Sequence, residues 1–472
     1  RKRRRIGENA FVRAENLSAV FPCCSSLKKR NIQEHTGTYG NLQESAETYR
    51  RNLQRHTETY IILQNKYALM IKLNPSPKVY TGWTERSCHP KDTLARIEQF
   101  TGPAGITRVA DITDLDRLGI PVYSCIRPGA ADGAISVYNG KGGTEEEARA
   151  AGIMEGIERY SAEAIPRDLQ NHTFQEMQLA GYNVLNPEEL ILPQAAPKGA
   201  AIPWAEGYDI VNNESVYLPF CAVVHPNPLY METLFRSSSN GIASGNTMEE
   251  AIFYALTEVI ERDSWSLAEV TRNTGKKLTD LPEKVAEMAE KFTKNGVEVT
   301  LRDITSDIGI PTIAAVADDV ELKDPRLLMI GMGTHTNAEI AMIRALSEVA
   351  QSRATQIHGA REDATLARFR EMMGYDGVKR MNAYWFAGEE YKSAAEIPSC
   401  STDDFKQDIE YIISRLQAAG LSRVIVCDLT DPDIGVPVVR VVVPGLECFT
   451  IDNERRGERC RRAELSRIRG RR

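Results

Sequence analysis

No CxxC pair occurs in this chain of 472 residues, although nine cysteines are scattered along it (Cys23, Cys24, Cys88, Cys125, Cys221, Cys400, Cys427, Cys448 and Cys460). An odd number at irregular spacing argues against a disulfide framework or a zinc site and for free thiols in a reducing compartment. Long apolar runs are missing too. The longest, such as Val438–Val443, falls far short of the roughly 18 residues that a membrane span needs. No apolar segment suited to a secretory signal follows Arg1–Arg5, so a cytoplasmic protein without membrane helices is expected. Positive charge is scarce in the body of the chain. The formal charge is -7, yet residues 1–69 hold 13 Lys and Arg against 6 Asp and Glu, and residues 454–472 hold 9 against 3, which leaves -20 for the segment between. Such a body repels polyanions, so nucleic acid is not expected as its partner. The basic ends are expected to be solvated tails.

What the chain does have is 42% hydrophobic residues, enough for a substantial core. Residues 1–69 carry a crude repeat of Thr-Tyr and Leu-Gln (Thr38-Tyr39, Thr48-Tyr49, Thr59-Tyr60) whose short period fits neither a solenoid nor a coiled coil. They are expected to be a disordered or non-native extension, with Met70 as the natural start. From Ile106 onward, β-rich runs alternate with helical ones. Strands are expected at 121–126, 134–138, 216–224, 298–303, 312–318, 327–333, 424–428 and 438–443, and helices at 145–165, 248–271, 282–295, 338–358 and 402–419. This alternation predicts an α/β or α+β protein in which residues 70–453 form the main domain and residues 454–472 a basic tail.

Three of the expected helices open alike. With Thr144, Thr247 and Asn337 as position zero, a glutamate recurs at +2, an alanine at +4, a glutamate at +11 (Glu155, Glu258, Glu348) and a Glu or Gln at +14 (Glu158, Glu261, Gln351). Each zero position is a good helix N-cap, and Glu147 and Glu250 are placed to complete capping boxes. The preceding glycines let the backbone approach a ligand closely, and free N–H groups at a helix start favour an anion such as phosphate. Arg159 and Arg262 follow the first carboxylate of their pairs by four residues, so each Glu, Glu, Arg set shares one helix face. An isolated set of this kind is more often a surface ladder. Here the flanks (Ile153, Ile157; Leu256, Val259, Ile260) are apolar, which narrows the polar stripe on a largely buried helix. Buried carboxylates need cations or donors, and two converging helices would let magnesium bridge them to phosphate oxygens. The third copy carries Gln351 and a displaced Arg353, a less negative set that suits hydrogen bonding to nucleotide or substrate.

With those residues in view, the chain resembles the YcaO family of ATP-using backbone-modifying enzymes over about residues 80–450. The carrying segments include "KDTLARI", "ISVYNGKGGTEEEARAAGIMEGIERYSAE", "SSSNGIASGNTMEEAIFYALTEVIERDSW", "ALSEVAQSRAT" and "VVRVVVPGLE". The resemblance implies a YcaO-type fold with an internally repeated strand-loop-helix unit around an ATP site. It also implies ATP and Mg2+ as cofactors, with Glu155, Glu158, Glu258 and Glu261 as catalytic and metal-holding residues. Lys91, Arg159, Asn246, Glu250, Arg262, Gln351, Arg353 and Arg440 are then expected to bind the nucleotide. The wording "RPGAADGAISVYNGKGGT" is similar to the archaeal methanogenesis-marker branch, whose members thioamidate a glycine in the alpha subunit of methyl-coenzyme M reductase. That chemistry needs no protein nucleophile, so Cys125 and Cys221 are expected to be core thiols. A TfuA-like sulfur-delivery partner and a homodimer are further implications. The other readings are an azoline-forming cyclodehydratase, against which the basic C-terminus counts because such enzymes often end in a proline-rich tail, and a non-catalytic ATP-binding adaptor.

Overall fold

The structure, a computed structural model, describes residues 70–163, 171–196, 199–228, 233–362 and 365–470. Residues 1–69, expected as an extension, lie outside the described residues. The principal strands are β1 (Arg108–Asp111), β2 (Val122–Ile126), β3 (Val137–Lys141), β4 (Ile202–Asp209), β5 (Glu214–Pro219), β6 (Ile242–Ser244), β7 (Lys276–Thr279), β8 (Val297–Asp303), β9 (Thr312–Asp319), β10 (Met329–Thr334), β11 (Tyr391–Ser393), β12 (Ile425–Asp428) and β13 (Val438–Val442). The principal helices are α1 (Pro90–Ile97), α2 (Glu145–Ala162), α3 (Met248–Thr271), α4 (Glu283–Lys294), α5 (Ala338–His358), α6 (Phe405–Ala418) and α7 (Glu458–Gly470). Among the described residues no helix is long and apolar enough to cross a membrane.

The strands form three main sheets, almost wholly antiparallel, so the α+β expectation holds. One runs β1-β2-β3, one β10-β9-β8-β7-β11, and one contains β4-β12-β13-β6 with β5 beside β4. In each, the last strand before a repeated helix is a sheet edge: β3 runs into α2, β6 into α3 and β10 into α5. Each helix packs on its own strand and also on the strand of another copy, α2 on β6, α3 on β10 and α5 on β3. Three like units therefore close into a ring with approximate threefold character. Each has its own apolar core. Ile153 and Ile157 pack with Ile97 and Tyr138 in the first, Leu256 and Ile260 with Ile409, Ile412 and Val439 in the second, and Ile343 and Leu346 with Phe292 and Ile313 in the third.

The repeated glycine and alanine positions explain one another. A Cβ on Gly140 would stand 2.1 Å from the carbonyl oxygen of Ala148, and one on Gly333 would stand 2.1 Å from that of Ala341. Ala148, Ala251 and Ala341, the +4 alanines, are fully buried. Small residues on both sides let the helix lie directly on its strand. Gly140 and Gly333 thus serve helix-to-strand contact, whereas Gly142 and Gly143, directly before the first cap, line the cleft.

The expected tail at 454–472 is corrected for residues 454–470. Residues 458–470 form α7, which packs against α3. Arg459 forks onto the buried Asp263 at 2.8 Å, and the buried Glu447 accepts from the N–H groups of Gly457 and Cys460 at 2.8 Å. Negative charge on Asp263 and Glu447 holds this basic segment down, through pairings that its own composition does not reveal.

Candidate active site

The N-cap geometry of the first two copies is nearly the same, with φ/ψ of -128°/163° at Thr144 and -128°/164° at Thr247, each hydroxyl accepting the N–H three residues on. The capping boxes are incomplete, however. Glu147 turns to the N–H of Gly143 and the hydroxyl of Thr81, while Glu250 takes the N–H and hydroxyl of Ser87 and pairs with Arg86 at 3.2 Å. In the third copy the side chain of Asn337 donates to Glu85. The segment from Ser76 to Ser87 thereby ties down all three helix starts, and a carboxylate that has a second, long-range donor has no need to fold back on its own cap.

The +11 and +14 side chains of all three helices line one cleft of about 320 Å³. Glu155, Glu158, Glu258, Glu261, Glu348 and Gln351 meet there, joined by Arg159, Arg262, Asn246 and Glu250. Glu158 accepts from the N–H and hydroxyl of Ser244 at 2.9 and 3.1 Å, and Glu258 from the N–H of Gly241 at 3.3 Å. Arg159 lies 3.3 and 3.4 Å from Glu155 and Glu158, whereas Arg262 stands 3.8 Å from both Glu258 and Glu261. Burial, with Glu155 and Glu258 nearby, pushes the Glu158 carboxyl up to about 7 against the pull of Arg159. Burial likewise raises Glu261, helped by Glu348 and opposed chiefly by Arg262. Glu348 is partly buried, but Lys141 at 2.6 Å and Arg262 outweigh the desolvation and hold it below the usual range. The cleft therefore has carboxylates in surplus on the first two helices and a compensated one on the third.

Three sequence-expected residues lie elsewhere. Lys91 is 80% exposed on α1 and faces Glu146 at 3.6 Å, outside the cleft. Arg353 is fully buried against Asp116 and Asp319, and Arg440 lines a neighbouring hollow. Conversely, Lys141, Arg344 and Arg86 line the cleft and escaped the sequence reading. Lys141 stands three residues before the Thr144 cap, and Arg344 precedes Glu348 by one helical turn on the same face; both signals were present. Arg86 lies 3.9 Å over the ring of Tyr254, a contact with no local signature. Cys125 and Cys221 are buried as expected, and burial pushes the Cys125 thiol up to about 12.

The donor set fits magnesium with a nucleotide. Among the described residues no three His, Cys, Asp or Glu groups close on one point, so no preformed cage exists. Magnesium characteristically takes one or two carboxylates and completes its shell with phosphate oxygens and water. The Nη1 of Arg159 and the Nε of Arg344 are buried without partners, donors suited to an incoming anion.

This fold and cleft define an ATP- and magnesium-using enzyme. The chain belongs to the YcaO family: the family model described as YcaO cyclodehydratase, ATP- and Mg2+-binding, matches residues 139–447. An uncharacterized protein of Methanothermobacter thermautotrophicus is 48% identical over 383 residues, covering 80% of this chain and 98% of the relative. An uncharacterized protein from the tfuA 3' region of Rhizobium leguminosarum bv. trifolii is 32% identical, covering 77% and 89%. The structure of YcaO from Methanopyrus kandleri, bound with AMPPCP and Mg2+, superposes with a TM-score of 0.69 at 28% identity, covering 81% of this chain and 98% of that one. The enzyme is ATP-dependent and cyclodehydratase-like.

Two predictions arise here. Lys91→Ala is expected to leave the affinity for ATP with magnesium within about twofold in calorimetry, as for other exposed positions, and a loss of about tenfold would return Lys91 to the site. The second concerns pH. The Glu158 carboxyl ionises near 7 when folded and near its ordinary value of 4.5 when unfolded, so between those values the native state binds the extra proton. Stability in chelator therefore falls as pH rises through this window, by on the order of 3 kcal/mol from this group. Glu158→Gln should remove its share of that slope and leave the share of Glu261, which burial also raises; parallel melting-temperature profiles for the two proteins would show that Glu158 does not titrate there.

Proposed function

We propose that this enzyme activates a peptide backbone amide, and that its reaction is the sulfide-dependent thioamidation of a glycine in the methyl-coenzyme M reductase alpha subunit. The observation that carries the amide-activating reading is the convergence of the +11 and +14 side chains of three helices on one cleft, with carboxylates left in surplus on two of them. The relative from a methanogen supports the choice of substrate, and the relative from a tfuA region supports a TfuA-like protein as the partner that supplies sulfide.

In this reading Glu155, Glu158, Glu258 and Glu261 hold magnesium, and Arg159 and Arg262 balance them and bind phosphate oxygens. Asn246 is held by Thr93 and Arg96 through its Oδ1, and its Nδ2 donates to Glu250, so both would shape the rim of the nucleotide site. Gln351 donates to the carbonyl of Asn139, fastening the third helix to the strand that leads to Lys141 and Gly142. ATP with magnesium supplies a phosphoryl group that converts the amide oxygen into a good leaving group once sulfide has added to the carbonyl carbon. Incubation with ATP, sulfide and a glycine-containing peptide of the reductase should yield the mass gain of an oxygen-to-sulfur exchange. Loss of water would instead identify the cyclodehydratase reading. Glu258→Gln protein that no longer binds nucleotide but still supports modification in cells would identify an adaptor.

A further inference from the structure

Beside the nucleotide cleft lies a smaller hollow of about 70 Å³, lined by Ser238 and Asn240, at the turn before β6, and by Arg440, none of which lines the cleft. Arg440 is 6% exposed on β13. Its Nη1 donates to the carbonyl of Ser238 at 2.7 Å, while its Nε is buried and unpartnered among the described residues. The Oδ1 of Asn240 is likewise buried without a partner. A buried donor and a buried acceptor facing one hollow, both unsatisfied, each cost stability unless something completes them.

The turn is fixed. Gly241 adopts φ +83°, where a Cβ would also stand 2.5 Å from the carbonyl oxygen of Val441, so only glycine fits. Ser237 is held from the other side by the N–H of Asn227 at 2.9 Å and by the ring of His225 at 3.1 Å. The second arginine of the hollow, Arg455, spends its Nε and Nη2 on the carbonyls of Ile191 and Leu190 and lies 3.8 Å over the ring of Phe235. Glu447 is occupied by two backbone N–H groups. Among the buried side-chain atoms of the residues lining the hollow, the Nε of Arg440 and the Oδ1 of Asn240 are the ones left without a partner, set among Val259, Val441 and Leu446.

That pair has the hydrogen-bonding pattern of a peptide unit, which offers one acceptor and one donor. An anion would satisfy Arg440 but be repelled by the Asn240 oxygen. The placement is also apt. Asn240 immediately precedes Gly241, whose N–H meets Glu258, and Arg440 is the cross-strand partner of Ile242, which lines the cleft. We infer that this hollow is the subsite for the acceptor peptide unit: Arg440 donates to the carbonyl oxygen of the amide to be modified, Asn240 accepts an N–H of the same segment, and the small apolar wall selects glycine over residues with branched side chains. The inference rests on the amide-activating reading and names the part of the enzyme that would hold the amide. Arg440, expected from the sequence to bind nucleotide, becomes a substrate-binding residue.

The test is fluorescence anisotropy of a fluorescein-labelled, glycine-centred peptide of the reductase alpha subunit with the full chain, alongside calorimetry with ATP and magnesium. Arg440→Met and Asn240→Leu should each raise the peptide Kd, by about 10- to 100-fold for the charged donor, and leave the nucleotide Kd within about twofold. Retained nucleotide binding reports that each variant is folded. A peptide carrying valine in place of the central glycine should bind the wild-type protein more weakly. Unchanged peptide affinity in both variants, or loss of nucleotide binding in step with peptide binding in Asn240→Leu, overturns the subsite. If the wild-type protein modifies the peptide while both variants bind it normally, the subsite falls and the amide-activating reading stands. If the wild-type protein neither binds nor modifies it, both fall.

Discussion

Glu258→Gln is expected to reduce ATP turnover by about 10²- to 10³-fold and to abolish the magnesium dependence of nucleotide binding. Glutamine preserves the shape of the side chain, and its amide oxygen can still accept the N–H of Gly241, which now lies 3.3 Å from Glu258. What is lost is one negative charge at a place where Arg262, at 3.8 Å, is too far for a good hydrogen bond and leaves the carboxylate undercompensated. Melting temperature without ligand should therefore change little or rise, because a like charge has been removed from beside Glu158. Glu348→Gln provides the contrast. Glu348 is already paired with Lys141 at 2.6 Å, so this change should leave a stranded ammonium in the cleft without removing a free metal ligand. Calorimetric titration of each protein with ATP, with and without magnesium, distinguishes the two positions. Equal magnesium dependence in wild type and Glu258→Gln would sink the assignment of this carboxylate.

The parts of the site that follow helical periodicity were legible, and the parts that depend on distant pairing were not. The expected helices at 248–271 and 338–358 coincide with α3 and α5, because Thr247 and Asn337 are strong N-caps and Gly359 adopts the left-handed conformation that ends α5. The shared face of Glu155, Glu158, Glu258 and Glu261 follows from three-residue spacing on a helix. By contrast, Lys141 meets Glu348 across 207 residues and Arg86 meets Glu250 across 164, separations at which no local pattern operates. Strand β4 was missed because Pro203, Glu206 and Gly207 break its apolar alternation, although both of its flanks are covered in the fold. The same limit explains α7. Its mean character is strongly basic, and it is held by ion pairs with Asp263 and Asp307 together with the buried Cys460 rather than by a continuous apolar stripe.

Arg353→Ala should destabilise the protein by about 3–5 kcal/mol while leaving nucleotide affinity intact in the fraction that remains folded. The reason lies in a one-residue shift. In the first two copies the arginine follows the +14 carboxylate directly, at Arg159 and Arg262, and both line the cleft. In the third copy it stands at Arg353, two residues beyond Gln351, which turns it about 200° around the helix axis from Gln351. The side chain consequently points into the interior, where its Nε and Nη2 donate to Asp116 at 2.8 and 3.0 Å and Nη2 also reaches Asp319 at 3.0 Å. Both acceptors are buried, and only Asp319 has a second arginine, Arg117 at 2.8 Å. Removing Arg353 strands the Asp116 carboxylate and leaves a cavity between α5 and the segment from Asp116 to Leu118. Arg353→Met fills part of that volume but not the charge deficit, so it should recover little. The double variant Arg353→Met with Asp116→Asn should regain a large part of the loss, since the stranded charge is what costs most. Urea denaturation of the four proteins measures this directly. A double variant no more stable than Arg353→Met alone would mean that packing, and not the ion pair, is what Arg353 contributes.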